Sequence, residues 1–137
     1  MTDIDVRLSL TIPLRTVSEA NRRECWQAKQ RRAKRQRTAV RLSCRAGVSG
    51  RAAWTRGPLV VTMCRVAWRA LDTDNLAGAL KHVRDGIADA LGRSDGPGDG
   101  IEWRTTQRRR SKGGPKYAVE ISIGIVPREV DTGQNNP

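Results

Sequence analysis

The chain has 137 residues, enough for one hydrophobic core and not two. Only 37% are apolar and 4% aromatic, with four Trp, one Tyr and no Phe, so the core must rest on Val, Ile, Leu and Ala, and a partner subunit often completes a core that lean. Lys and Arg number 26 against 14 acids, a formal net charge of +12, which favours phosphate contacts and makes nucleic acid the leading partner ahead of an anionic membrane surface.

No apolar run reaches membrane-spanning length, and Met1 to Asp5 carries acids where a signal peptide carries lysines, which points to a cytoplasmic protein with no membrane partner. Cys25, Cys44 and Cys64 are odd in number and far apart, the pattern of buried or half-buried thiols rather than of a disulfide framework or a zinc knuckle.

Ile4, Val6, Leu8, Leu10 and Ile12 are apolar at every second position and predict a half-buried strand ended by Pro13. From about Ser18 to Arg45 no Gly or Pro interrupts a helical pattern, with Ser18 as N-cap and Glu19 in the first turn. Gly47 to Gly50 breaks it. Leu59 to Trp68 reads as a strand nearly apolar on both faces, the signature of a central strand. A second helix runs from about Asp74 to Leu91, where Leu76, Leu80, Val83, Ile87 and Leu91 form a core-facing stripe. A loop over Gly92 to Gly100 follows. Two strands, Ile101 to Arg108 and Lys116 to Val126, are joined by a basic turn at Ser111 to Pro115, and the polar tail at 128–137 is expected to be disordered. The order β-α-β-α-β-β predicts one α/β domain over 1–127, a two-layer sandwich in which a small mixed sheet packs against two helices and is covered largely on one face.

The segment richest in chemistry is Asp72-Thr73-Asp74-Asn75, where the apolar strand hands over to the second helix. Two carboxylates two residues apart can converge on one point, Asn75 adds a neutral oxygen, and such oxygen clusters select hard divalent cations, Mg²⁺ above all, with Mn²⁺ as a substitute. Asp and Asn are equally at home as helix caps, because their oxygens accept the orphan N–H bonds of a first turn, so both readings stand. Asp95 and Asp99, in the Gly-rich loop, are further acids able to complete a metal site or to serve as ordinary turn residues. Three- and four-residue steps place Asp74, Gly78, Lys81 and Asp85 on one helix face, so that Lys81 stands above the carboxylates, near phosphate or developing charge. His82, the one histidine, has no Cys or Ser at a diagnostic spacing and reads as a surface or phosphate-contacting residue.

Positive charge is concentrated in two places. Arg22, Arg23, Lys29, Arg31, Arg32, Lys34 and Arg35 crowd the first helix, and Arg108, Arg109, Arg110 and Lys112 bracket the turn before the last strand. Both sets suit backbone phosphates, which are read by shape more than by sequence. Trp26, Trp54, Trp68 and Trp103 are too dispersed for a base-stacking platform, and core packing is the expected role for most.

Asp72-Thr73-Asp74-Asn75-Leu76, followed by a helix with Lys81, Asp85-Gly86-Ile87 and Asp89-Ala90-Leu91, resembles the Asp-x-Asp-Asn block of the RusA-like Holliday-junction resolvases, a phage and prophage family of endodeoxyribonucleases. The acidic loop, the strand start at Ile101 and Trp103, and the basic turn are similar too, as is the segment from Pro13 through Ser18 to Asn21. The resemblance covers about residues 4 to 125 and is most specific over 71–91. It implies a homodimeric, Mg²⁺-dependent enzyme that cuts four-way junctions and other branched DNA by phosphodiester hydrolysis, with Asn21 and Asn75 beside the DNA. Asp72 and Asp74 match the first two of the family's three essential aspartates, and Asp95 and Asp99 are both candidates for the third. The family's lysine, four residues after the second aspartate in its prototype, falls on Gly78, and Lys81 one turn on is its substitute. Two other readings accommodate the same sequence: a catalytically impaired DNA-binding protein on this fold, and a basic RNA-binding protein.

Overall fold

A computed structural model of the chain describes residues 4–17, 25–48, 57–93 and 100–126. Strand β1 (Asp5–Ile12) precedes helix α1 (Trp26–Val48), strand β2 (Leu59–Ala67), helices α2 (Thr73–Ala79) and α3 (Lys81–Leu91), and strands β3 (Ile101–Arg109) and β4 (Ala118–Ile125). The α/β sandwich expected from the pattern is the observed architecture: among the described residues, one four-stranded mixed sheet with three helices rather than two.

The sheet order is β1-β4-β2-β3. β4 runs antiparallel to both β1 and β2, whereas β2 and β3 are parallel and joined by the α2–α3 crossover. That order explains why β2 is apolar on both faces: it lies inside the sheet, and Val60 and Val66 are buried opposite the helices just as Val61 and Met63 are buried beneath them. Val119, Ile121 and Ile123 of β4 join Val40 and Cys44 of α1 and Val83 and Ile87 of α3 in a single core. On the other face Ser9, Ser122, Thr62 and Arg104 form a polar row, and Arg108 reaches over β2 to Glu120 at 2.8 Å.

Two helix boundaries depart from expectation. α1 starts at Trp26, with Cys25 outside it, so Ser18 is not its cap; Ser18 itself lies outside the described residues. The helix also continues through Gly47 to Val48. A Cβ at Gly47 would collide with the Leu8 side chain, so this glycine serves close helix–strand packing rather than a helix stop. The second predicted helix is interrupted at Leu80 (φ −97°, ψ 2°), yet Leu76, Leu80, Val83, Ile87 and Leu91 all remain buried, so the apolar stripe survives the break. Gly92 (φ +67°) ends α3 in the left-handed conformation that glycine adopts without penalty.

α1 and α3 pack closely at Gly86, where an added Cβ would lie 2.6 Å from the Arg37 carbonyl oxygen and 2.8 Å from Val40 Cβ. The tryptophans are less buried than expected. Trp26 and Trp68 are exposed, Trp103 is half-buried under the Arg84 guanidinium at 4.7 Å, and Trp54 lies outside the described residues. Trp68 is exposed because it follows the last residue of β2 and has left the sheet. All three cysteines are free; Cys44 is buried, which pushes its thiol up to about 11, Cys64 is half-buried, and Cys25 is exposed. Among the described residues no helix is long and apolar enough to cross a membrane.

Candidate functional site

β2 ends at Ala67, and the chain passes through Trp68 to Leu71 before turning into α2. This turn is fixed from β3. The Gln107 side chain donates to the Leu71 carbonyl at 2.6 Å and accepts the Leu71 N–H at 2.9 Å, so one amide side chain satisfies both backbone groups of the residue before Asp72. Asp72 is the N-cap of α2: one carboxylate oxygen accepts the Asn75 N–H at 2.9 Å and the other the Asn75 side-chain amide at 3.0 Å. The capping role is therefore real for Asp72. Asn75 orients that carboxylate through its amide nitrogen, a different use from the oxygen ligand expected. Asp74 lies exposed in the first turn, and among the described residues neither aspartate forms an ion pair.

Only Asp72 and Asp74 of the four candidate metal ligands can be placed. Asp95 and Asp99 lie outside the described residues, and among the described residues no three acidic, His or Cys side chains gather into a metal-binding group. The residues flanking that loop are described: Arg93 donates to the Gly57 carbonyl at 2.9 Å, and Gly100 accepts the Leu59 N–H at 3.0 Å. Leu59 opens β2 whereas Leu71 follows its far end, so both flanks sit at the opposite end of the sheet from Asp72. Two carboxylates still fit Mg²⁺, which is commonly held by one or two of them with waters and substrate phosphates filling the octahedron. Lys81 is exposed as the first residue of α3. Leu80 separates it from α2, which carries Asp74, but the Leu80 N–H still donates to the Leu76 carbonyl at 3.1 Å and the Arg84 N–H to the Leu80 carbonyl at 3.0 Å. His82 is half-buried, 4.0 Å from the Asp85 carboxylate.

The basic residues divide by what they touch. Arg31, Lys34 and Arg35 are exposed on α1, and Lys29 and Arg32 are half-buried. Arg31, Arg32, Arg35 and Arg15 line a hollow of about 440 Å³. Buried Gln36 ties this side of α1 to the chain after β1 by donating to the Arg15 carbonyl at 3.0 Å. Arg109 and Lys112 are exposed at the end of β3 and in the turn after it. Arg110 lies 5.3 Å from the Trp68 ring, and Arg108 is engaged with Glu120, whose carboxyl the guanidinium holds below its usual range. Asn21, Arg22 and Arg23 lie outside the described residues.

At the far end of the sheet, Arg37, Arg41, Arg45 and Arg93 surround Asp89 in a hollow of about 850 Å³. Asp89 accepts two hydrogen bonds from Arg37, at 2.6 and 2.8 Å, which hold its carboxyl below the ordinary range.

Sequence reasoning missed Arg65 and Gln107. Arg65 carried a signal, being the one charge in an otherwise apolar strand. Gln107 carried none, because its value lies in its register against Arg65 and its reach to Leu71. Set against models of known protein families and against curated proteins, the chain matches none.

Proposed function

We propose that the protein is a Mg²⁺-dependent endonuclease that cuts branched DNA, four-way junctions foremost, and that it acts as a homodimer. One observation carries this reading. At the end of β2, Asp72 follows directly on Leu71, which lines one hollow with Arg15, Arg65 and Arg69, and among the described residues neither Asp72 nor Asp74 pairs with any of these arginines. Neighbouring opposite charges kept apart are available to a ligand that carries both needs: a cation for the carboxylates and an anion for the arginines. A metal-chelated phosphodiester is such a ligand.

Asp72 and Asp74 would hold the metal, which when bound supplies Lewis-acid polarisation of the phosphodiester and acidifies the attacking water. The chain's own residues set the stage. Gln107 fixes Leu71 and thereby the entry to α2, and Asn75 fixes the Asp72 carboxylate. Exposed Lys81, Arg109 and Lys112 offer charge to backbone phosphates without reading bases. Paired nicks across a junction need two such sites, which a homodimer supplies.

A labelled four-way junction incubated with Mg²⁺ tests this, beside an Asp74→Asn variant. Cutting is expected from the parent, with a loss of at least tenfold in the variant, or ~1.4 kcal/mol of barrier. Undiminished cutting by the variant would remove Asp74 from the site. Tight binding with no cutting by either would make the protein a DNA-binding relative on this fold.

A further inference from the structure

Arg65 occupies a position that a protein core rarely gives to a charge. It lies on the helix-facing side of β2 with Leu59, Val61 and Met63, and only 8% of it is exposed. Its Nε donates to the Thr16 hydroxyl at 3.1 Å and its Nη1 to the Arg69 carbonyl at 2.7 Å. These are neutral acceptors, and among the described residues no carboxylate meets it. A buried guanidinium without a counter-charge is costly, and desolvation accordingly pushes its pKa down.

The rest of its donor fork is not sealed in. Arg65 has no N–H nitrogen among the fully buried, unpartnered polar atoms of the described residues. It lines a hollow of about 330 Å³ with Arg15, Thr16, Trp68, Arg69, Leu71 and Tyr117. Among the described residues, three arginines and no acid line the hollow. Arg15 is steadied by the Tyr117 ring at 5.1 Å, while Arg110 stacks on Trp68 at 5.3 Å. The position relative to Asp72 is set by the sheet: Arg65 pairs in register with Gln107, and Gln107 grips Leu71, which is both a wall of the hollow and the residue before Asp72.

We infer that this hollow binds one phosphate group of a nucleic-acid backbone, with Arg65 at its floor and Arg15 and Arg69 at its rim. A planar guanidinium fork matches two oxygens of a phosphate, and three arginines lining one hollow suit an anion with several oxygens to share among them. The anion site stands on Arg65 and its surroundings alone. Its meaning for cleavage, a phosphate anchored next to Asp72 and Asp74, rests on the nuclease reading.

The test needs no metal. The Arg65 Nε–H, buried and bonded to Thr16, gives a side-chain NMR signal that can be followed in the full chain. The probes are a thymidine dinucleotide, which has an internal diester and no terminal phosphate, and inorganic phosphate. Saturable shifts of the Arg65 signal with the dinucleotide are expected, and Arg69→Gln, an exposed change that keeps the carbonyl bonded to Arg65, should weaken binding roughly tenfold. An Arg65 signal that stays still while exposed α1 arginines respond would overturn the inference. So would a response to inorganic phosphate alone, because a strand offers only diesters. Absence of junction cutting in a separate assay would remove the nuclease reading and leave this result standing.

Discussion

The two ends of the sheet are built from the same residue types and use them in opposite ways. At the Leu59 end, Arg37 takes Asp89 in a two-bond grip and Arg93 spends a donor on the Gly57 carbonyl. At the Ala67 end, among the described residues, Asp72 and Asp74 form no ion pair, and Arg65 donates to a hydroxyl and a carbonyl rather than to an acid. Paired charges join α1 to α3 and are satisfied within the chain. Separated charges of both signs leave donors and acceptors to be filled from outside. The difference separates scaffold from proposed site more clearly than the density of arginine does, since arginines crowd both ends.

The contrast depends on α1 and α3 staying in place, and Gly86 is where that is most easily broken. Gly86→Ala drives a methyl group into the Arg37 carbonyl and Val40. Urea unfolding should show a loss of about 1–3 kcal/mol, and because both ends hang on the same helix pair, junction binding and the Arg37–Asp89 contribution should fall together.

Gln107→Leu separates the ends instead. It removes both hydrogen bonds to Leu71, leaving that backbone to water, at a stability cost of about 1–2 kcal/mol. Cleavage should drop at least tenfold with the far end untouched, whereas Arg37→Gln should leave the cleavage rate constant unchanged. Equal effects of the two on cleavage would erase the distinction between site and scaffold.

Gly78→Lys sharpens it from the other side. A Cβ at Gly78 meets nothing within 4 Å, so the substitution fits, and relieving a helical glycine stabilises by up to ~1 kcal/mol. The new ammonium stands one turn from Asp74 on α2, nearer in sequence than Lys81, and cleavage should rise several-fold. No rise would show that the lysine of the resembled family has no counterpart to restore here.

The sheet and core were legible because burial imposes periodicity: the two-residue alternation of β1 and β4 and the Leu76 to Leu91 stripe are written in apolar positions whatever the neighbours do. The break at Leu80 left no trace, since a buried Leu serves either side of it equally well. Asp72 and Asp74 were legible as a spacing, but that Asp72 caps α2 was not, because a cap and a metal ligand call for the same residue. Lys81 was placed near Asp74 by helical spacing, and the loop holding Asp95 and Asp99 by its position in the chain, which says nothing of the sheet end its flanks occupy. Arg65 and Gln107 needed the register of β2 against β3, a pairing between segments 42 residues apart that no local pattern encodes.

The smallest expected effect concerns Asp89. Its carboxyl is held below the ordinary value in the folded chain, first by the hydrogen bonds from Arg37. A lowered folded pKa contributes stability that is present above the unfolded value of about 3.9 and is lost as pH falls through the folded one. With side chains 52% and 30% exposed, the pair contributes only ~0.2–1 kcal/mol, and less in high salt. Asp89 also lies in the last turn of α3, where the helix dipole disfavours a carboxylate, so Asp89→Asn alone mixes a lost partner with a relieved repulsion. A double-mutant cycle with Arg37→Gln, followed by urea unfolding from pH 7 to pH 2, isolates the pair. Its coupling energy should be constant above pH 5 and vanish below the lowered pKa. Coupling that persists unchanged at pH 2 would mean that packing of the two stems, rather than their charge, joins α1 to α3, and the opposition between paired and separated charge would lose its scaffold half.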